Sequence, residues 1–238
     1  MAITDEDINA LQKYMLWDDI GFEACTEGPR HRGLLKDIMC DKKVNVLIRE
    51  KLIANYLGLE HNSKMHSTTD GITTYDAVKL LSGRCFEIKA EQHTRNNADR
   101  ASDRCQITGT GVFGGVTDLA AINKLILDNP RIAHGMFLDG RLLAIVTFDF
   151  SSSGAADRIS RYCLGDTKTA PRYTFTDWID APGLIVEYIS PNWPSNLYSK
   201  YRKLLRKKYN QQLQPVVISL PIQIIVSTES LPDQHLSV

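Results

Sequence analysis

The stretch YDAVKLLSGRCFEIKAEQ, Tyr75 to Gln92, contains two runs apolar enough for core strands, with Asp76, Glu87 and Lys89 set in and around them. Taken as a β-hairpin turning on Ser82-Gly83, it pairs Leu81 with Arg84, Val78 with Glu87 and Asp76 with Lys89. Directly opposed residues share a sheet face, so the three charges emerge together, the carboxylates as diagonal neighbours about 7 to 8 Å apart at Cα. Phe86, Ile88 and Ala90 alternate to the other side, toward a core. A loop one residue longer would turn one strand's charges to the opposite face.

Two carboxylates and a lysine at that separation suit phosphodiester cleavage. Paired oxygen ligands hold Mg²⁺, which keeps most of its waters and also takes phosphate oxygens. The lysine can steer an attacking water and oppose charge building on the phosphate. The plainer alternative is that Asp76 and Lys89 form a cross-strand ion pair while Glu87 is solvated on an open sheet face, since charged strand faces are ordinary.

The same stretch resembles the PD-(D/E)xK signature of the restriction-endonuclease-like nucleases: an aspartate at the start of one strand, a hairpin, then Glu87-Ile88-Lys89 on the next. The resemblance implies Asp76 and Glu87 as Mg²⁺ ligands and Lys89 as the catalytic lysine. Tyr75 stands where the family usually has proline, and Asp70 in TTDGITT is a rival to Asp76 at a spacing the family allows. The likeness spans roughly residues 40 to 150, as an order of elements carrying one short motif.

The flanks follow that order. VNVLIREKLIANYLGLEHN repeats apolar residues at Val46, Leu47, Leu52, Ile53, Tyr56, Leu57 and Leu59, near helical spacing, and predicts an amphipathic helix ending near Gly58. Glu50 lies on it; some nucleases of the family carry a helix-borne glutamate near the metal, which makes Glu50 an extra candidate ligand beside the alternative of a solvated helix face. TDLAAINKLILDNP opens on the capping residues Thr117 and Asp118 and closes before Pro130. RIAHGMFL, the Asp139-Gly140 turn and RLLAIVTFDF predict a second hairpin.

Two basic regions are candidate DNA contacts. The polar segment after Lys89 carries His93, Arg95, Asn96, Asn97, Arg100 and Arg104, side chains of the kind that read bases and phosphates; a solvated surface loop is the alternative. Its glycines lack a GKS or GKT ending, so no nucleotide cofactor is expected. In SKYRKLLRKKYN, Tyr201, Leu204, Leu205 and Lys208 share one side of a predicted helix while Arg202, Lys203, Arg206 and Lys207 spread over the remainder, free for phosphates or simply for solvent.

Composition bounds the rest. With 238 residues, 43% hydrophobic and 24% charged, one globular domain over 1–238 is expected, its catalytic core about 40–150, its basic helix and C-terminal strands about 183–238. Lysines plus arginines equal aspartates plus glutamates at 28 each, so a nucleic-acid surface must be local. Five cysteines without CxxC spacing and six histidines without HExxH give no zinc signature. A cytoplasmic location is expected, because an odd cysteine count with no secretory segment points to reduced thiols, and no membrane partner is expected, because no apolar run is long enough to span a bilayer.

The sequence therefore predicts an α/β fold of restriction-endonuclease-like type, a mixed central β-sheet flanked by helices. The resemblance implies a Mg²⁺-dependent endonuclease of double-stranded DNA, a type II restriction enzyme acting as a homodimer. The alternatives are a structure-selective repair or junction nuclease and a noncatalytic DNA-binding protein.

Overall fold

Asp139 and Gly140 both hold positive φ, 48° and 74°, the backbone that a two-residue hairpin of type I′ demands and that Asp-Gly accepts at low cost. Around this turn β5 (Arg131–Leu138) and β6 (Arg141–Asp149) pair antiparallel, Leu138 opposite Arg141, as the sequence predicts. A computed structural model of the chain describes residues 3–41, 46–61, 77–79, 84–93, 106–107, 131–149, 173–174, 179–180 and 183–213.

Almost every residue of β5 and β6 is buried, because layers cover both faces of the sheet at this point and neither strand needs a polar side. On one flank β3 (Arg84–His93) pairs with β5 in parallel, from Glu87 opposite Ile132 to His93 opposite Leu138. On the other, β8 (Leu184–Ile189) pairs antiparallel with β6. The short strands β1 (Glu60–His61) and β2 (Ala77–Lys79) extend the edge beyond β3, giving the order β1-β2-β3-β5-β6-β8. The protein is thus α/β, with a mixed sheet flanked by helices. A parallel pair requires a long connection, and residues 94–130 separate the two strands in sequence. Two further strands, β4 (Gln106–Ile107) and β7 (Tyr173–Thr174), pair with each other.

The first hairpin differs from expectation in register. Lys79 pairs with Arg84, Val78 with Cys85 and Ala77 with Phe86, so the strands are separated by residues 80–83 and not by Ser82-Gly83 alone. A two-residue loop wants positive φ at both central positions or glycine at the first; here serine stands first, and a longer connection avoids that strain. The shift is two residues, an even number, so the faces are preserved: Phe86 and Ile88 are buried as predicted.

Helices α1 (Asp5–Met15), α2 (Asp19–Ala24), α3 (Pro29–Cys40) and α4 (Val46–Tyr56) cover the face bearing Phe86, Ile88, Ala133, Phe137, Leu142 and Ile145. The helix α5 (Ser199–Leu213) covers the other, where Ile132, Met136, Val146, Phe148, Leu184 and Val186 meet Trp193, Leu197, Tyr201 and Leu205. Helix α4 stops where predicted: Gly58, at φ 65°, lets its own N–H donate to Asn55 O and that of Leu59 to Ala54 O, which closes the last turn. Its buried side is rotated from the predicted stripe, however. Leu47 is exposed, while Arg49 and Glu50 are buried and Arg49 Nη1 donates to the carbonyls of Met39 and Asp41 at the end of α3.

The N-terminal helices are anchored to the β5–β6 turn. Tyr14 Oη donates to Asp139 O, Trp17 Nε1 donates to Leu142 O at 2.8 Å, and the Arg141 guanidinium lies 3.7 Å from the Tyr14 ring centroid. Helix α1 is capped at its start: Thr4 Oγ1 accepts from Asp7 N, and Asp7 Oδ2 accepts from Thr4 N at 2.9 Å. His31 Nε2 lies 2.8 Å from the other Asp7 oxygen. Among the described residues no helix is long and apolar enough to cross a membrane.

Two outcomes test this packing. A Cβ on Gly140 would lie 2.7 Å from Met39 Cβ at a backbone angle that disfavours side chains, so Gly140→Ala is expected to cost about 2 to 4 kcal/mol, read from urea unfolding. The Thr4 backbone hydrogen bond, assisted by His31, holds the Asp7 carboxyl below its ordinary value of 3.8. The unfolded chain therefore takes up this proton at higher pH than the folded one, so the contribution is present above the unfolded value and is lost as pH falls through the lower, folded value. In unfolding midpoints taken across that acid range, the wild type should fall more steeply than Asp7→Asn.

Candidate active site

Strand β3 turns Glu87, Lys89 and Glu91 to one face and Phe86, Ile88 and Ala90 toward the cluster under α1, α3 and α4. Lys89 Nζ donates to Glu87 Oε1. The Glu87 and Lys89 side chains are 15% and 25% exposed, low enough to strengthen their interaction yet open enough for a solvent-borne ligand to reach them. Glu87 is therefore not the solvated residue of the plainer reading.

The parallel neighbour β5 sets Ile132 beside Glu87, His134 beside Lys89 and Met136 beside Glu91. Ile132 and Met136 belong to the cluster under α5, so the charged row runs along the border of an apolar core. His134 is buried between them, its Nε2 3.4 Å from Glu91 Oε2. Neither Glu91 nor His134 was singled out from sequence. Alternation along β3 could have marked Glu91, but His134 joins it only through a parallel register that no local signal announces.

Of the other expected metal ligands, Asp76 and Asp70 lie outside the described residues. Glu50 is buried, and the expectation of a solvated helix face is corrected: α4 rests on β3 and β1, with Leu52, Ile53 and Ala54 packed beneath it. That helix covers the opposite face of the sheet from Glu87 and Lys89. Among the described residues no three His, Cys, Asp or Glu side chains converge to hold a metal ion. Mg²⁺ is commonly held by one or two carboxylates plus waters and substrate phosphates, with no closed protein cage. The hard oxygens of Glu87, reachable from solvent, fit such an ion.

The candidate DNA contacts divide likewise. His93 ends β3, and Arg95, Asn96, Asn97, Arg100 and Arg104 lie outside the described residues. On α5 the apolar side is as predicted, with Tyr201 and Leu205 buried and Leu204 half-buried. Lys203 and Lys207 are exposed and Arg206 half-exposed. Arg202 departs from the expected outward face: its Nη1 donates to Trp193 O at 3.0 Å, tying the helix to the preceding turn.

Helix α5 and the Glu87–Lys89 pair lie on the same side of the sheet. In comparisons with known proteins, no family model and no curated protein matches the chain.

The two kinds of basic residue on α5 should separate in unfolding experiments. Arg202→Ala removes a charge-assisted bond to the carbonyl of the buried Trp193 and should cost about 1 to 3 kcal/mol. Lys203→Ala and Lys207→Ala should stay within about 0.5 kcal/mol of wild type.

Proposed function

We propose that the protein is a Mg²⁺-dependent endonuclease of double-stranded DNA with a restriction-endonuclease-like fold, acting as a type II restriction enzyme. The observation that carries the reading is the half-buried Glu87–Lys89 pair on β3, facing the same side of the sheet as the exposed lysines of α5. The order of a helix, an antiparallel hairpin ending in Glu-x-Lys, and a following strand also supports it.

In this reading Glu87 and Asp76 hold the ion. Strand β2 begins at Ala77 opposite Phe86, and one further step of the same register would set position 76 directly across from Glu87. Bound Mg²⁺ would offset the charge that develops on the phosphate. Lys89, held beside Glu87, orients the attacking water and donates toward the phosphate oxygen that gains charge. Lys203, Arg206 and Lys207 contact phosphates without reading sequence. Cutting both strands with one site per chain is simplest for a twofold homodimer on a palindromic site.

Unmethylated plasmid incubated with and without Mg²⁺ tests the reading. A fixed band pattern with Mg²⁺ alone is expected, and Lys89→Arg should reduce the cleavage rate by about 10² to 10⁴-fold while DNA binding persists. Lys203→Ala with Lys207→Ala should flatten the salt dependence of binding by up to about one log unit per lost contact. No metal-dependent cleavage, with DNA binding intact, would make the chain a noncatalytic DNA-binding protein; cleavage confined to branched or flapped DNA would make it a repair nuclease.

A further inference from the structure

Among the described residues β8 is the last strand of the sheet, three strands from β3 and so about 14 to 15 Å from the row that holds Glu87 and Lys89. Three tyrosines from three elements gather at it. Tyr188 stands on β8 itself, and Tyr56, the last residue of α4, meets it edge-on with ring centroids 5.4 Å apart. Tyr209 comes from the opposite face of the sheet on α5, close enough to influence the ionisation of the Tyr56 hydroxyl. The end of that helix is pinned to the strand: Gln212 Oε1 accepts from Val186 N at 3.0 Å, and Gln212 lies three residues from Tyr209 on the same side of the helix.

These rings are not sealed in the core. Tyr56 is 36% exposed, Tyr188 and Tyr209 are half-buried, and Ile185 on the same strand is 46% exposed. Burial, reinforced at Tyr56 by Tyr188, Tyr209 and the Glu187 carboxylate, raises the Tyr56 and Tyr188 hydroxyls above their ordinary value of 10.0. Those two rings are therefore uncharged at neutral pH and do not repel a phosphate. Glu187 brings an opposing charge nearby, with its Oε1 engaged by the Thr147 hydroxyl at 2.6 Å. Helix α5 outweighs it, carrying Lys200, Arg202, Lys203, Arg206, Lys207 and Lys208 and no aspartate or glutamate. Arg206, three residues before Tyr209, shares its side of the helix, and Lys207 is exposed.

Neutral aromatic rings beside a run of cations match a polymer that offers flat apolar faces together with phosphates. A duplex hides its base faces in the stack and presents only charge to such an edge, whereas an unpaired strand presents both. We propose that the β8 edge binds a single-stranded polynucleotide, with Tyr56, Tyr188 and Tyr209 as stacking surfaces for unpaired bases and Arg206 and Lys207 along the phosphates. This edge shares the cations of α5 with the nuclease reading above and none of the residues assigned there to cleavage, so its ligand is independent of whether the chain cuts DNA.

Fluorescence anisotropy of the whole chain, without divalent metal so that no probe is cut, tests the site. Labelled oligodeoxyuridylate should bind at least about tenfold tighter than an abasic oligonucleotide of the same length, which keeps the phosphates and lacks the bases. Tyr56→Leu with Tyr188→Leu should weaken oligodeoxyuridylate binding about 5- to 100-fold while abasic and duplex probes bind as before. Tyr56→Phe with Tyr188→Phe, which keeps the rings, should match the wild type. Arg206→Ala with Lys207→Ala should weaken all three probes. Oligouridylate in place of oligodeoxyuridylate assigns the sugar: tighter binding of the ribose form makes the ligand RNA, tighter binding of the deoxyribose form makes it DNA, and either supports the site.

Equal affinity for abasic and base-bearing probes, no binding of either, or unchanged oligodeoxyuridylate binding in the leucine variant overturns the proposal. Where that variant fails to fold by circular dichroism, the wild type is irradiated with an oligonucleotide carrying 5-iodouracil and the cross-linked peptides are identified by mass spectrometry. Cross-links at Tyr56, Tyr188 or Tyr209 are expected; cross-links only elsewhere, or none, overturn the proposal.

Discussion

The β5–β6 hairpin, closed by Asp139 and Gly140 at positive φ, is the constraint from which the other elements take their positions. Its two strands are buried on both faces, so they can only form where a layer closes above and another below. The N-terminal helices reach it through hydrogen bonds to Asp139 O and Leu142 O, and through Met39 packed against Gly140. Strand β3 depends on it in turn. Lys89 is level with His134 because β3 pairs in parallel with β5, and a slip of one residue there would send the charged row into the apolar cluster under α4.

The two faces of the sheet meet this constraint differently. Under α1, α3 and α4 the β3 side chains are apolar and continue the core. Under α5 the cluster includes Ile132 and Met136 of β5, and the next strand outward is a line of charges. Charges at such a border interact more strongly than in open water, because one side is low in dielectric, and remain reachable because the other is not. Glu87 and Lys89 pair, and Glu91 meets a buried imidazole. A face designed only for stability would continue the apolar cluster across β3, since replacing partly buried ion pairs by well-packed hydrophobic residues is often neutral or stabilising.

Legibility in the sequence followed the range of the interactions. Asp139-Gly140, the stop at Gly58, the alternation of Phe86 and Ile88 and the apolar side of α5 are set within a few residues, and each could be read. The register of β2 against β3 depends on which loop is least strained, and a single glycine in second place was a misleading guide. The rotation of α4 could not be read because Arg49 is buried to serve the carbonyls of Met39 and Asp41, a demand made by another helix. Arg202 was likewise drawn inward by Trp193 O. At the candidate site Glu87 and Lys89 came from alternation, whereas His134 required knowledge that β5 lies parallel to β3. The aspartates 70 and 76 and the arginine-bearing loop lie outside the described residues.

In the proposed nuclease, the charged face of β3 holds a divalent cation beside a lysine. Mn²⁺ serves as a paramagnetic stand-in for Mg²⁺, and its titration into isotope-labelled protein reads the location directly from line broadening of backbone amides. Broadening should begin at residues 87–89 and at their β5 neighbours 132–134, reverse on adding excess Mg²⁺, and vanish in Glu87→Gln. Broadening that begins elsewhere on the chain, or that persists unchanged in Glu87→Gln, would contradict the account.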